Sequence, residues 1–326
     1  MVHMDMMRDK TGLRVVGRFA PTPSGRMHLG NVFSCLMAWL GARSTGGRMV
    51  LRIEDLDQRA QRPEHTELLM HDLAWLGLDW DEGPFYQSKR YEIYCDALSK
   101  LERRGLIYPC FCTRQQLHAA SAPHASDGTY VYQGTCRNLS AEEVAHKSLE
   151  REPAMRLRVP DAGDPHTLIT FEDLVYGRHE ENLATDCGDF LVRRSDGVFA
   201  YQLAVVVDDA LMGVNQVVRG RDLLGSVARQ MYLLDLLGEE IPAYAHVPLV
   251  VAPDGRRLSK RNRDLDLGAL REAGTSPKRI VGRLAQAVGL AEAGEDLSPQ
   301  DLVERFSWEA IHNRQNDIVV DSNFLL

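Results

Sequence analysis

The opening sixty residues leave little choice of architecture. A short apolar, β-branched run, LRVVGRFA (Leu13 to Ala20), breaks into PTPSGRMHLGN, punctuated by Pro21, Pro23, Gly25 and Gly30. VFSCLMAWLGARSTGG follows, apolar on a helical period and stopped by paired glycines, and then a second apolar run, MVLRI (Met49 to Ile53), which ends in Glu54, Asp55 and Asp57. Strand, turn, helix and strand in this order form the βαβ unit of a parallel, doubly wound α/β sheet. Ligands of such sheets bind at the carboxyl ends of the strands. PTPSGRMHLGN and EDLDQ both lie just past a predicted strand end, which places a nucleotide site there.

Further along, Pro63 opens a helix with Leu69, Leu73 and Leu76 on one face, and another runs from about Tyr91 to Arg104 with Gly105 as its stop. From Leu106 to Asp186 the rhythm is lost, and it returns at FAYQLAVVVDD and QVVRGRDLLGSVARQMYLLDLLG. The expected organisation is a first half of the sheet domain over 13–105, an insertion over 106–186, a second half over 187–263 and a short helical region over 264–326, with helices at Pro277 to Val288 and Asp301 to Asn313.

Composition narrows the class. At 44% hydrophobic and 26% charged residues the chain is rich enough in apolar side chains to fold. Its longest apolar run, Val198 to Val207, is about half of what a membrane span needs. MVHMDMMRDK lacks the apolar core of a signal peptide. Six cysteines are too few for a disulfide framework, so a reducing cytoplasm is expected. The net charge of -8 argues against coating a polyanion wholesale but leaves room for a local basic track.

Three constellations carry chemistry. In RFAPTPSGRMHLGN (Arg18 to Asn31), Gly25 and Gly30 allow close backbone approach, the helix start presents N–H groups to an anion, and His28 can donate to a phosphate oxygen in a transition state. In VAPDGRRLSKR (Val251 to Arg261), Asp254-Gly255 makes a turn, so Arg256, Arg257, Lys260 and Arg261 ride on a loop able to grip a triphosphate. Each alone is weak, a fold-permitting turn or a solvated basic loop. In the third, Cys110-Phe-Cys112 precedes Tyr132-Gln-Gly-Thr-Cys136, and three thiolates with one oxygen can complete a tetrahedral zinc site. His118, His124 and Tyr130 are rival fourth ligands, while Cys35, Cys95 and Cys187 read as packing residues.

His-Leu-Gly in the first strand-to-helix turn, with Leu-Ser-Lys on a loop more than 200 residues later, resembles the paired signatures of class I aminoacyl-tRNA synthetases. RFAPTPSGRMHLGN, LRIEDLD, FAYQLAVVVDDALMGVNQVVRGRDLL and RRLSKR resemble the glutamyl branch of that class. The resemblance implies ATP-dependent activation of glutamate to glutamyl-adenylate and transfer to an RNA hydroxyl. It places glutamate against Arg18, Phe19, Ala20, Pro21, Thr22, Glu54, Tyr201 and Arg219, with the arginines for carboxylates and Glu54 for the ammonium. It places ATP against His28, Gly30, Asn31 and Lys260, gives His28 and Lys260 the catalytic roles, and brings Mg2+ in with ATP. Asn31 stands where many class I enzymes carry a second histidine. The same resemblance makes Cys110, Cys112, Tyr132 and Cys136 a structural zinc site. Asp208 and Asp209 are as readily structural as substrate-facing.

After Lys260 only 66 residues remain, too few for a large helical anticodon-binding region. That resembles the family's short paralogues, the glutamyl-queuosine tRNA(Asp) synthetases, which implies glutamylation of queuosine at the wobble position of tRNA(Asp), with Arg193, Arg194 and Arg229 as candidate RNA-facing cations. The expectation is a cytoplasmic monomer with no membrane partner. The competing expectations are a truncated glutamyl-tRNA synthetase charging the 3′ end of tRNA(Glu), a small-molecule nucleotidylyltransferase, and a silent paralogue acting as a binding module.

Overall fold

A computed structural model describes residues 14–57, 61–119, 131–256, 258, 266–321 and 324–325, the side chains of Arg114, His118 and Ala119 excepted. The first βαβ unit forms as the sequence dictates. Strand β1 (Val16–Phe19) leads through the proline- and glycine-rich turn into α1 (Leu29–Arg43), and β2 (Arg48–Ile53) returns parallel to β1. Helix α2 (Pro63–Leu76) starts on its proline and ends at Gly77, whose φ of 79° is a left-handed cap that glycine adopts without strain. It delivers the chain to β3 (Glu82–Tyr86), parallel to β2, and then to α3 (Tyr91–Arg103).

The middle of the chain turns antiparallel. Strand β4 (Ile107–Cys110) is followed by the short α4 (Arg114–Ala119), α5 (Ala141–Ser148) and β5 (Ala154–Leu157). A hairpin of β6 (Leu168–Asp173) and β7 (Gly177–Asn182) precedes β8 (Phe190–Arg193). β5 is the centre of an antiparallel sheet ordered β4-β5-β8.

Helix α6 (Tyr201–Leu211), β9 (Gln216–Gly220), α7 (Val227–Leu237) and β10 (Ala243–Val247) rebuild the parallel pattern. β9 pairs parallel with β10, which pairs parallel with β6 through Tyr244 and Asp173. β1 and β9 are joined by Asn215, whose Oδ1 accepts from the Val16 amide (2.7 Å) and whose own amide donates to the Val16 carbonyl (3.2 Å). Between β1, which leads outward to β2 and β3, and β9, which leads the other way, lies the crevice where such sheets bind ligands.

The remainder is β11 (Val250–Val251), α8 (Leu267–Glu272), α9 (Pro277–Ala287), α10 (Pro299–Leu302), α11 (Trp308–His312) and β12 (Ile318–Val319), which pairs with β11. The single helix expected over Asp301 to Asn313 is two short ones. Ser307, extended at φ -148°, caps a new helix by accepting from the Ala310 amide, which breaks the run. These elements pack on the sheet. Ile280, Leu284, Trp308 and Ile311 share one buried cluster with Phe33, Leu36 and Leu69. Among the described residues no helix is long and apolar enough to cross a membrane.

Candidate active site

The end of β1 contributes Arg18 and Phe19, the following turn Ala20, Pro21, Thr22 and Ser24, and the start of α1 His28, Gly30 and Asn31. These line a cavity of about 510 Å³ together with Glu54 past β2, Tyr201 opening α6, and Arg219 and Gly220 ending β9. Every described residue assigned above to glutamate or ATP therefore meets in one place. Lys260 lies outside the described residues, as do Arg257 and Arg261; of that loop, Leu258 is buried and lines the cavity. Gly30 leaves room beside the His28 ring, from which a Cβ at that position would stand only 3.1 Å.

The turn is held from both sides. Asp72 accepts from the Met27 amide (3.3 Å) and pairs with Arg26 (3.3 Å). His28 forms an isolated antiparallel bridge with Asp266, and the Leu267 amide donates to the Met27 carbonyl (3.0 Å).

Below the cavity floor lies a buried charge network. Arg52, fully buried, reaches Asp209 at 2.5 Å, Glu54 at 3.1 Å and Asp208 at 3.8 Å. Burial alone would favour its neutral form, but the three carboxylates keep it firmly charged. Arg18 stands 3.5 Å from Asp209 and donates to the Val218 carbonyl (2.8 Å). Burial pushes the Glu54 carboxyl up from its ordinary value, against the pull of Arg52. Its charged form would gain from a further cation in the cavity. Asp208 faces inward, taking bonds from Gln87 (2.8 Å), Arg90 (2.6 Å) and Tyr94 (2.8 Å), so it is a structural hub.

Arg219 is held on every side. Nε donates to His246 Nε2 (3.0 Å), Nη1 to Gln230 (2.8 Å) and to the Tyr201 hydroxyl (3.3 Å), and Nη2 to the Leu223 carbonyl (3.2 Å). Residue types gave no sign of His246 or Gln230. Arg52 and the Asp208–Asp209 pair did carry a signal, being charges set inside the apolar runs RMVLRI and AVVVDDAL. Cys35 packs on the core as expected, but it also lines the cavity, where burial raises its thiol to about 12.

The third constellation, the cysteines, gathers as a compact knot. Cys110, Cys112 and Cys136 present sulfurs within 4.8 Å of one another, and Tyr132 Oη stands 3.5 Å and 3.6 Å from the sulfurs of Cys110 and Cys112 while accepting from the Cys136 amide (2.8 Å). Burial, with the neighbouring sulfurs, raises the Cys112 thiol to about 11. Three soft donors converging on one point, two of them buried and Cys112 half-buried, fit a metal ion. His124 and Tyr130 lie outside the described residues, as does the side chain of His118. Cys187 is buried in a separate apolar cluster, with Cys95 packed against it.

Of the three cations considered for RNA, Arg229 is buried and donates to the Gly225 carbonyl (3.2 Å), so it presents no charge to a partner. Arg194 is paired with Asp57 and Asp196, and Arg193 donates to the Tyr91 hydroxyl (3.0 Å).

Residues 14–320 match the family described as tRNA synthetases class I (E and Q), catalytic domain. The chain is 49% identical over 302 residues to the Glutamyl-Q tRNA(Asp) synthetase of Symbiobacterium thermophilum, covering 89% of this chain and 91% of that one. It is 47% identical over 308 residues to the protein of the same name from Nitratidesulfovibrio vulgaris, covering 91% and 94%. Among solved structures, a glutamate tRNA ligase from Elizabethkingia meningosepticum, in complex with its amino acid, superposes with a TM-score of 0.79 at 26% identity, over 96% of this chain and 68% of the other.

Proposed function

The chain belongs to the class I tRNA synthetases of the E and Q type, a family of ligases, and from that membership we propose that it activates glutamate with ATP and transfers it to queuosine in the anticodon of tRNA(Asp). One observation carries the activation step. Arg18, Glu54, Tyr201 and Arg219, from four separate stretches of chain, line a single cavity with His28 and Gly30 at the crevice of a parallel sheet. Glutamate brings two carboxylates and one ammonium; Arg18 and Arg219 supply the cations, and Glu54, its charge unfavourable while buried, gains from the ammonium. A glutamate carboxylate oxygen attacks the α-phosphorus of ATP, and the bond to the bridging oxygen breaks, releasing pyrophosphate. An RNA hydroxyl then attacks the acyl carbon, losing its proton and expelling AMP. The attacking carboxylate needs no base, so the site contributes position and electrostatics. His28 donates to the phosphate as charge builds on it, Lys260 is the expected partner for the departing pyrophosphate, and Mg2+ arrives with ATP. The queuosine acceptor rests on what the relatives are named.

Transfer of labelled glutamate to two pools of total tRNA, one with queuosine and one without, tests the reading. Label confined to the queuosine pool, and insensitive to removal of the 3′ terminal adenosine, is the expected result. Equal label in both pools would mean 3′ charging instead.

The cysteine knot is proposed as a structural zinc site held by Cys110, Cys112, Cys136 and Tyr132, where an ion would tie β4 to the turn at 132–136. Metal analysis of purified protein should find about one zinc per chain. Cys136→Ala should abolish retention of zinc through dialysis against a chelator and lower Tm, while zinc content unchanged in that variant would refute the site.

A further inference from the structure

We propose that Asp173 and His246, which no motif marks, act as a positioning pair that fixes the Arg219 guanidinium to receive a glutamate carboxylate; the inference rests on the glutamate reading above. Asp173, 2% exposed at the end of β6, accepts from the Val175 (3.0 Å), Tyr176 (2.9 Å) and His246 (3.1 Å) amides and from His246 Nδ1 (2.6 Å). Burial works against its charge, but the bond from His246 and the amides hold its carboxyl below the ordinary range. An ionised carboxylate only accepts, so the hydrogen of His246 sits on Nδ1. Burial lowers the imidazole to about 4, which keeps the ring neutral and leaves a bare lone pair on Nε2. That lone pair takes the Nε–H of Arg219 at 3.0 Å.

The consequence is a guanidinium with four of its five N–H bonds committed: one to His246, two on Nη1 to Gln230 and Tyr201, and one on Nη2 to Leu223. Among the described residues one Nη2 hydrogen is left over, and Tyr201, which accepts from Arg219, keeps its own hydroxyl hydrogen to give. Both residues line the cavity. Two donors fixed in advance bind a carboxylate without the entropy loss of ordering a long side chain. A protonated or flipped imidazole would instead set an N–H against the Arg219 Nε–H and turn the fork away.

Asp173→Asn separates positioning from simple support. The asparagine oxygen can still accept from the turn amides, but its NH2 faces His246 Nδ1, which drives the hydrogen to Nε2. In glutamate-dependent ATP–pyrophosphate exchange, run with tRNA present, KM for glutamate should rise about tenfold or more, as loss of a buried charge-assisted contact does. KM for ATP should change less than about twofold, since the ring touches Arg219 and does not itself line the cavity. His246→Gln, whose side-chain oxygen can reach the Arg219 Nε–H, should retain near-normal glutamate KM, whereas His246→Leu should not. That comparison carries the test even if Asp173→Asn folds poorly. A wild-type enzyme that exchanges, with unchanged glutamate KM in Asp173→Asn and His246→Leu, overturns the pair's role alone, as does a loss that tracks glutamate and ATP equally. A wild-type enzyme without glutamate-dependent exchange overturns the glutamate reading and this inference together.

Discussion

His28→Ala is expected to reduce kcat for ATP–pyrophosphate exchange about 100- to 1,000-fold, the cost of removing one donor aimed at charge that develops in a transition state. The side chain lines the cavity at the mouth of α1, and its backbone carbonyl, retained in the variant, still takes the Asn31 (3.0 Å) and Val32 (3.1 Å) amides that start the helix. The fold therefore survives, and the loss is chemical. KM for glutamate should barely move, because Arg18 and Arg219, the arginines proposed to hold its carboxylates, are untouched. A drop of less than about fivefold, well below the loss expected for such a donor, would take His28 out of the reaction.

Arg52→Met should produce the largest change in stability, about 3–5 kcal/mol, the range for removing one partner of a buried ion pair. The methionine fills much of the space but leaves Glu54, Asp208 and Asp209 to face one another with Arg18 and Arg90 as the remaining cations. Urea unfolding would show it as a lower midpoint with little change in slope. Arg305→Ala, which breaks an exposed pair with Glu295 (2.8 Å), serves as the control and should leave the midpoint nearly where it was. If the two variants unfold alike, the buried network contributes nothing that a surface pair does not.

The part of this site that is legible in the amino-acid sequence is the part encoded locally. PTPSGRMHLGN announces its turn through prolines and glycines, and the apolar period that follows it announces α1, so a loop-to-helix junction beside β1 is legible with Gly30 and His28 in place. Arg18, Glu54, Tyr201 and Arg219 are legible only through resemblance, because nothing in their own neighbourhoods says that four distant side chains converge. The Arg52 network is less legible still. Its members sit at positions 52, 54, 208 and 209, with Gln87, Arg90 and Tyr94 closing around Asp208, and burial of that many charges is a property of the assembled sheet. Arg229 misleads for a related reason. An arginine next to a glutamine in ARQMY looks solvent-facing, yet the first turn of α7 is buried from Val227 to Gln230. The Asp301 to Asn313 segment misleads because a local serine cap at Ser307 outweighs a favourable helical period.

The turn at 173–176 joins more than two strands. Asp173 pairs β6 to β10, the Val175 carbonyl accepts from Gln315 (2.6 Å) and bonds His312 Nδ1 (2.6 Å), and the Tyr176 hydroxyl donates to the Gln315 carbonyl (3.0 Å). A stretch that interrupts the sheet in sequence thus locks three regions of the molecule together, and it cannot be traded as a cassette. A chimera that swaps the 106–186 stretch for that of a relative would have to carry matching residues at 246, 312 and 315. A minimal version with that stretch replaced by a linker would lose β6 and β7 from the sheet that β10 and β9 build, and the anchor of its last helix, in one cut.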